Sequence, residues 1–194
     1  VTCVYQDRAG IRKTLEELHR LDIHNIFAIT GDYPQERKDS AVFDLDSVAL
    51  VSMINEMRQE GMPFSISVAV SPFKYTEADC LYQYIKLEKK FAAGADFAIT
   101  QLGYDVRKFR ELKQYLDERG ISKPVIGNVY ALTKRASEIM SEGRPPGCWV
   151  APELVERIAE EAKEEDKGKA ARLERAARTV AILRGLGYGG AYIG

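Results

Sequence analysis

The sequence predicts an α/β fold assembled from repeated strand–helix units, and within that class an incomplete (β/α)8 barrel. Three observations carry the prediction. Short apolar runs rich in β-branched residues alternate with stretches of helical periodicity along the whole chain. Neighbouring runs are separated by helix-length segments, with no hairpin signal between them. Two runs also end alike, Ile26-Phe27-Ala28-Ile29 in Thr30-Gly31-Asp32 and Phe97-Ala98-Ile99 in Thr100-Gln101. Those are carboxyl strand ends, where parallel α/β folds bind ligands. Six clear strands and a weak one near Cys148 fall one or two short of a closed barrel. The chain opens directly into a strand at Val1, so a strand before it is expected to be missing. Residues 1–194 are expected to form one barrel domain.

Val1 to Tyr5 reads as the opening strand. Ile11, Leu15, Leu18 and Leu21 recur at helical spacing and predict a helix from Gly10 to Leu21. Ile26 to Ile29 is a buried strand by its length and β-branching. The segment from Tyr33 to Asp46, rich in Pro, Asp, Lys and Ser, is too long for a plain connector and is marked as functional. Asp46 or Ser47 caps a helix carrying Leu50, Val51, Ile54 and Met57, which stops at Gly61. Phe64 to Val70 is the next buried strand, closing in Ser71-Pro72. Thr76-Glu77-Ala78-Asp79 has capping-box spacing with Asp in place of Glu and starts a helix to Ala93. After the strand at Phe97 to Ile99, Asp105 caps a helix through Phe109, Leu112 and Leu116 that ends at Gly120. Pro124 to Tyr130 is a strand, Thr133 caps a short helix to Met140, and Pro152 opens another helix in its first turn. The charged stretch Lys163 to Lys169 separates that helix from a long one through Leu173, Ala176, Val180 and Leu183. Gly189 to Ile193 is the last strand. The glycines before it read as a tight turn rather than a phosphate cradle.

Hydrophobic residues at 45% and charged residues at 29% describe an ordinary globular protein with a sizeable core. The 28 basic and 29 acidic residues leave a net charge of −1, without a basic stripe interleaved with aromatics. Nucleic acid is therefore excluded as the primary partner. Cys3, Cys80 and Cys148 lie far apart without CxxC spacing, which points to reduced thiols in the cytoplasm. No apolar run approaches the roughly 20 residues that span a membrane, and no signal peptide is seen. His19 and His24 lack Cys or carboxylate partners at ligand spacing, so no metal site is expected. Glu160 to Lys167 reads as a solvated face and turn. Trp149, the only tryptophan, lies among glycines and prolines and is expected to plug the barrel bottom or an interface rather than stack on a ligand.

Asp32 and Gln101 are the residues singled out for chemistry. An amide both donates and accepts, which suits a heterocycle edge, and a carboxylate accepts from ring N–H or amino groups. The stretches around them are Asn25-Ile26-Phe27-Ala28-Ile29-Thr30-Gly31-Asp32-Tyr33-Pro34 and Lys90-Phe91-Ala92-Ala93-Gly94-Ala95-Asp96-Phe97-Ala98-Ile99-Thr100-Gln101. With Phe64 to Ala69 and Thr2-Cys3, they resemble the methylenetetrahydrofolate reductases. The likeness keeps the family's order and spacing over residues 1 to about 140, and more loosely over the final helix and strand.

The resemblance implies a barrel that binds a flavin at its carboxyl strand ends and passes a hydride to the methylene carbon of methylenetetrahydrofolate, giving methyltetrahydrofolate. It implies that Asp32 lies near flavin and pterin, tuning the reduced flavin and holding an electron-poor iminium form of the substrate. Gln101 would hydrogen-bond the pterin. Thr2, Gly31, Asp32, Ala69, Ser71 and Lys90 would match cofactor-contacting positions. Lys90 either offers its ammonium to the phosphates or is a solvated lysine late in a helix. The implied cofactor is FAD, with FMN or no flavin as alternatives. The implied partners are a folate and either a reduced nicotinamide cofactor or an electron-donating protein, in a homo-oligomer away from membranes.

Three departures keep other readings open. The family's first-strand glutamate, the general acid that opens the folate ring, has no counterpart from Val1 onward. Ser71 and Tyr75 stand where the family often has Tyr and then His. Gln83 or a neighbour stands where an Asp commonly meets the cofactor's ribose. The alternatives are a flavin-free pterin barrel that transfers a methyl group, and a non-catalytic subunit that holds folate or flavin.

Overall fold

Helices begin in this chain where a side-chain oxygen can take the first free N–H groups. The computed structural model describes residues 1–33, 41–144 and 147–194. Asp7 accepts from Gly10 N at 2.7 Å and opens α1 (Arg8–Arg20), two residues before the expected start. Asp46 accepts from Val48 N and Ala49 N and opens α2 (Ser47–Gln59). Before α3 (Glu77–Ala92), the Thr76 hydroxyl accepts from Asp79 N at 3.1 Å and donates to the Asp79 carboxylate at 2.7 Å. Asp105 caps α4 (Val106–Glu118), Thr133 caps α5 (Lys134–Ser141), and Pro152 sits in the first turn of α6 (Pro152–Glu161). The N-cap of α7 (Lys169–Gly185) is Gly168, which has no side chain, and the Asp166 carboxylate accepts from Ala170 N instead, at 2.7 Å.

The strands are β1 (Asn25–Ala28), β2 (Ser65–Val70), β3 (Phe97–Thr100), β4 (Val125–Val129) and β5 (Gly190–Ile193). Among the described residues they form a parallel five-stranded sheet in chain order, with seven α-helices. Two expected strands are absent from it. Val1 to Tyr5 is reduced to one parallel bridge, Thr2 to Ile29, because the chain then turns away: Val4 O accepts from Val42 N at 2.8 Å and Asp7 starts α1. Cys148 to Val150 forms no strand. Cys148 and Val150 are instead buried with Leu132, Met140 and Ile158 in a small apolar cluster. Residues 34–40, half of the loop marked as functional, lie outside the described residues.

The chain divides into two compact units. The first comprises Val1–Ala69 and Ile85–Ala98. Here β1 pairs with β2 from Asn25 opposite Ser65 to Ala28 opposite Val68. Ile26 and Ala28 are buried while Asn25 and Phe27 are exposed, so β1 is covered on one face only. Ile11 and Leu15 of α1 join Leu50, Val51, Ile54 and Met57 of α2 in the core, with Phe64, Ile66 and Val68. The Asp96 carboxylate accepts from Ile66 N at 2.7 Å and from Arg58 at 3.0 and 3.2 Å, and Arg58 also donates to Gly94 O at 2.5 Å. His19 and His24 face each other at 3.1 Å beside the Phe64 ring.

The second unit comprises Val70–Tyr84 and Ile99–Gly194. Phe109, Leu112 and Leu116 of α4 are buried, and β4 pairs with β5 from Ile126 opposite Gly190. Leu183, the one buried residue of α7, lies on Gly127 of β4, where any side chain would meet its methyl group at 2.3 Å. In the charged turn Lys163 pairs with Glu160, and Arg175 donates to Glu161 at 2.5 Å. Cys3, Cys80 and Cys148 are buried, and none of them forms a disulfide among the described residues. No helix of the described residues is long and apolar enough to cross a membrane.

Replacing Asp96 by Ala leaves the Ile66 N–H and the Arg58 guanidinium without their acceptor. The Asp96→Ala protein is expected to lose about 2 kcal/mol of stability, since hydrogen bonds to charged groups are each worth about 1.5–3 kcal/mol. Urea unfolding would read this as a lower midpoint at unchanged slope; a midpoint equal to that of the unaltered protein would contradict it.

Candidate functional site

In the first unit the chain reverses its direction just past β1. Gly31 has φ +88°, and a side chain there would meet Val4 Cγ1 at 3.0 Å and Thr2 Cβ at 3.4 Å. Only glycine satisfies both the backbone and the space. Thr2 and Gly31 are thus side by side. Asp32 follows, exposed, with no hydrogen-bond partner for its carboxylate among the described residues. Thr30, by contrast, is used locally: its hydroxyl accepts from Ser47 N at 3.3 Å.

Ala69 and Lys90 also meet. Lys90 is only 6% exposed, and its ammonium donates to Ala69 O at 2.7 Å. This rules out the solvated lysine as an alternative. Burial, and then the charge of Lys86, lower its pKa from 10.5 to about 8, with Asp46 working the other way. Lys86 lies 3.4 Å from Asp46. Burial works to raise the Asp46 pKa, but the N–H groups of Ala49 and Val48 and the Lys86 ammonium hold it below the usual carboxylate range. The Asp46 and Lys86 pair was not anticipated from the sequence. Its one visible signal is the spacing of Lys86 and Lys90, four residues apart on one helix.

In the second unit Gln101 N donates to Val70 O at 2.7 Å, continuing the ladder one residue past β3. The Gln101 side-chain carbonyl accepts from Leu102 N at 2.9 Å. Its NH2 group has no acceptor among the described residues and lies beside Gly147, 3.5 Å from where a Cβ would sit. Thr100, its expected polar neighbour at the strand end, is 2% exposed and accepts from Asn128 N at 2.9 Å. It is a sheet residue. The Ser71 hydroxyl is buried without a partner among the described residues. Trp149 is 44% exposed rather than plugged into a core, and stands edge-on to Tyr75, ring centres 6.4 Å apart.

A family model described as methylenetetrahydrofolate reductase matches residues 1–187. The chain belongs to the methylenetetrahydrofolate reductase family. A probable methylenetetrahydrofolate reductase (NADPH) of Caenorhabditis elegans is 31% identical over 135 residues, covering 66% of this chain and 19% of that protein. A 5,10-methylenetetrahydrofolate reductase of Pectobacterium carotovorum is 28% identical over 130 residues, covering 66% of this chain and 41% of that one. The chain therefore spans less than half the length of these relatives. Among solved structures, a 2,3-dimethylmalate lyase aligns over 99% of this chain and 50% of its own at TM-score 0.53 and 13% identity. A Clostridium thermocellum protein that binds two copies of 5-methyl-5,6,7,8-tetrahydrofolic acid aligns over 99% and 86%, also at 0.53 and 13%. At such identity the likeness is one of fold.

For this member of the methylenetetrahydrofolate reductase family, Lys90 provides a direct test of site electrostatics. Between the folded value of about 8 and the unfolded 10.5, the unfolded chain binds more protons than the folded one. Stability should therefore rise with pH across that window, by up to about 3 kcal/mol. Lys90→Met should flatten this rise. Urea midpoints of both proteins at about pH 7.5 and about pH 10 would show it, and parallel pH slopes would refute the burial of a charge.

Proposed function

We propose that this chain is part of a flavin-dependent oxidoreductase that interconverts 5,10-methylenetetrahydrofolate and 5-methyltetrahydrofolate, built as a (β/α)8 barrel. One observation supports it above the rest: a family match along residues 1–187 coincides with a buried ammonium, Lys90, held at the Ala69 carbonyl late in a strand. A buried cation of that kind suits a phosphate. These residues fit a flavin nucleotide, with FAD as the family's implied form. Ser71, whose hydroxyl has no partner among the described residues, is a further contact. When bound, the flavin would supply the hydride exchanged with the one-carbon unit.

The chain's own residues would do the rest. Asp32, unspent in local hydrogen bonding, would stabilise positive charge as the methylene carbon becomes an iminium centre. The free NH2 of Gln101 would donate to the pterin, its carbonyl being held by Leu102 N. The relatives' names include both NADPH and NADH forms, and a reduced nicotinamide cofactor is the electron donor proposed here. A folate substrate accords with the fold neighbour that binds methyltetrahydrofolate. A cytoplasmic homo-oligomer completes the proposal. The flavin-free methyl-transfer reading draws on one feature, that the Lys90 ammonium is already bonded within the chain.

A visible spectrum decides between them. Flavin peaks that bleach when methyltetrahydrofolate is added are expected, and a colourless protein that ignores added flavin would overturn the reductase reading. Asp32→Asn should lower the rate of flavin reduction by methyltetrahydrofolate about 100-fold with an unchanged melting temperature; an unchanged rate would remove Asp32 from the chemistry. Gln101→Ala should raise the methyltetrahydrofolate Kd about tenfold and spare flavin binding, whereas equal loss of both would make Gln101 structural.

A further inference from the structure

In the first unit the rings of Tyr33 and Phe43 lie nearly parallel, their centres 6.0 Å apart and their planes inclined by 13°. Tyr33 directly follows Asp32, so this stack borders the carboxylate left without a hydrogen-bond partner among the described residues. The backbone there is strained. Phe43 has φ +48°, a left-handed conformation that is unfavourable for a residue with a bulky side chain. Asp22 and Lys167, the other non-glycine residues with such a φ among the described residues, sit in exposed polar turns. Phe43 alone of the three is aromatic and half-buried.

The strain is held because the chain is fastened on both sides of it. Val42 N donates to Val4 O at 2.8 Å, and the Asp44 carboxylate accepts from Arg8 N at 3.1 Å. Between these two tethers the Phe43 ring turns onto Tyr33. The approach to Asp32 from β1 is tied to the same corner: Thr30 O accepts from Cys3 N at 3.1 Å, and the Val4 side chain fills the space beside Gly31. Asp32 thus has a fixed backbone before it and a stacked ring after it. Packing alone does not call for this arrangement, since Tyr33 is 61% exposed and the stack buries little apolar surface. Strain that burial does not require is a mark of function.

We propose that the Tyr33 and Phe43 stack is a clamp that aims the Asp32 carboxylate, with Phe43 a positioning residue for the hydride step. The proposal rests on the reading of Asp32 given above and adds to it what holds the carboxylate in place. When hydride leaves the methyl group of methyltetrahydrofolate with both bonding electrons and reduces the flavin, positive charge develops on the iminium that remains. A carboxylate already in position stabilises that charge without reorganising at the moment of transfer. The methyltetrahydrofolate that binds carries no such charge. Slackening the clamp therefore lowers the rate and leaves affinity alone.

Phe43→Ala, Phe43→Gly and Phe43→Tyr would be made in the whole chain, with and without Asp32→Asn. For each protein the limiting rate of flavin reduction by methyltetrahydrofolate, the Kd for flavin and for methyltetrahydrofolate by equilibrium dialysis, and the urea midpoint would be measured. Phe43→Ala should slow the rate about tenfold at unchanged Kd values, and Phe43→Tyr, which keeps the ring, should restore it. In the Asp32→Asn protein, Phe43→Ala should slow nothing further, because the two changes remove one interaction. Phe43→Gly relieves the strain and should have a higher urea midpoint than Phe43→Ala at the same low rate. A rate that recovers together with the midpoint would show a merely structural ring and overturn the clamp. A full rate in Phe43→Ala, a Phe43→Tyr protein as slow as Phe43→Ala, equal slowing with and without Asp32→Asn, or a Kd that rises in step with the lost rate would overturn it too. These outcomes leave the folate reading standing as long as methyltetrahydrofolate bleaches the flavin of the unaltered protein. A flavin that stays oxidised there would sink both.

Discussion

The Asp96 carboxylate fixes where β3 begins, and much of the site's geometry follows from that start. A strand entered from a helix has no hairpin to set its register, so something else must. Here one side chain accepts from Ile66 N on β2 and from Arg58 on α2, while Asp96 N donates to Ile66 O at 2.8 Å. The other end of β3 is tied by Gln101 N to Val70 O. With both ends fastened, a one-residue slip, which would turn every side chain of the strand to the opposite face, is excluded.

Features governed by local chemistry were legible in the sequence. Asp46, Thr76, Asp105 and Thr133 announce helix starts because their oxygens compete well for free N–H groups, and each does so in the structure. Periodicity gave the buried faces of α2 and α4, and of α1 as far as Ile11 and Leu15, while Leu21 at its end is exposed. What depends on distant partners was not legible. Val1 to Tyr5 has the composition of a strand, but pairing needs a neighbour over its whole length, and Val42 and Asp7 draw the chain away. Cys148 and Val150 look extended and apolar, yet two helices, α5 and α6, offer them a core with Leu132. Lys90 reads as a surface lysine until the carbonyl of Ala69 and the bulk around it are known.

The residues of the candidate site divide by whether local structure consumes their polar atoms. Thr30 and Thr100 sit at strand ends and look available, but their hydroxyls are taken up by Ser47 N and Asn128 N. Asp32 and half of the Gln101 amide are left over among the described residues. The sequence places all four at strand ends and singles out Asp32 and Gln101; the hydrogen-bond accounting separates the pair used within the sheet from the pair with capacity to spare.

Lys90 also gives the fold a built-in chemical clock. An amine with a pKa near 8 is largely unprotonated in mildly alkaline solution and is then a good nucleophile toward acylating reagents. Yet it is 6% exposed and bonded to Ala69 O, so a reagent reaches it only when that part of α3 lifts from β2. The rate at which Lys90 acquires a label, compared with that of exposed Lys89 next to it on the same helix, therefore counts local openings of the first unit, which are cheaper than unfolding the whole unit.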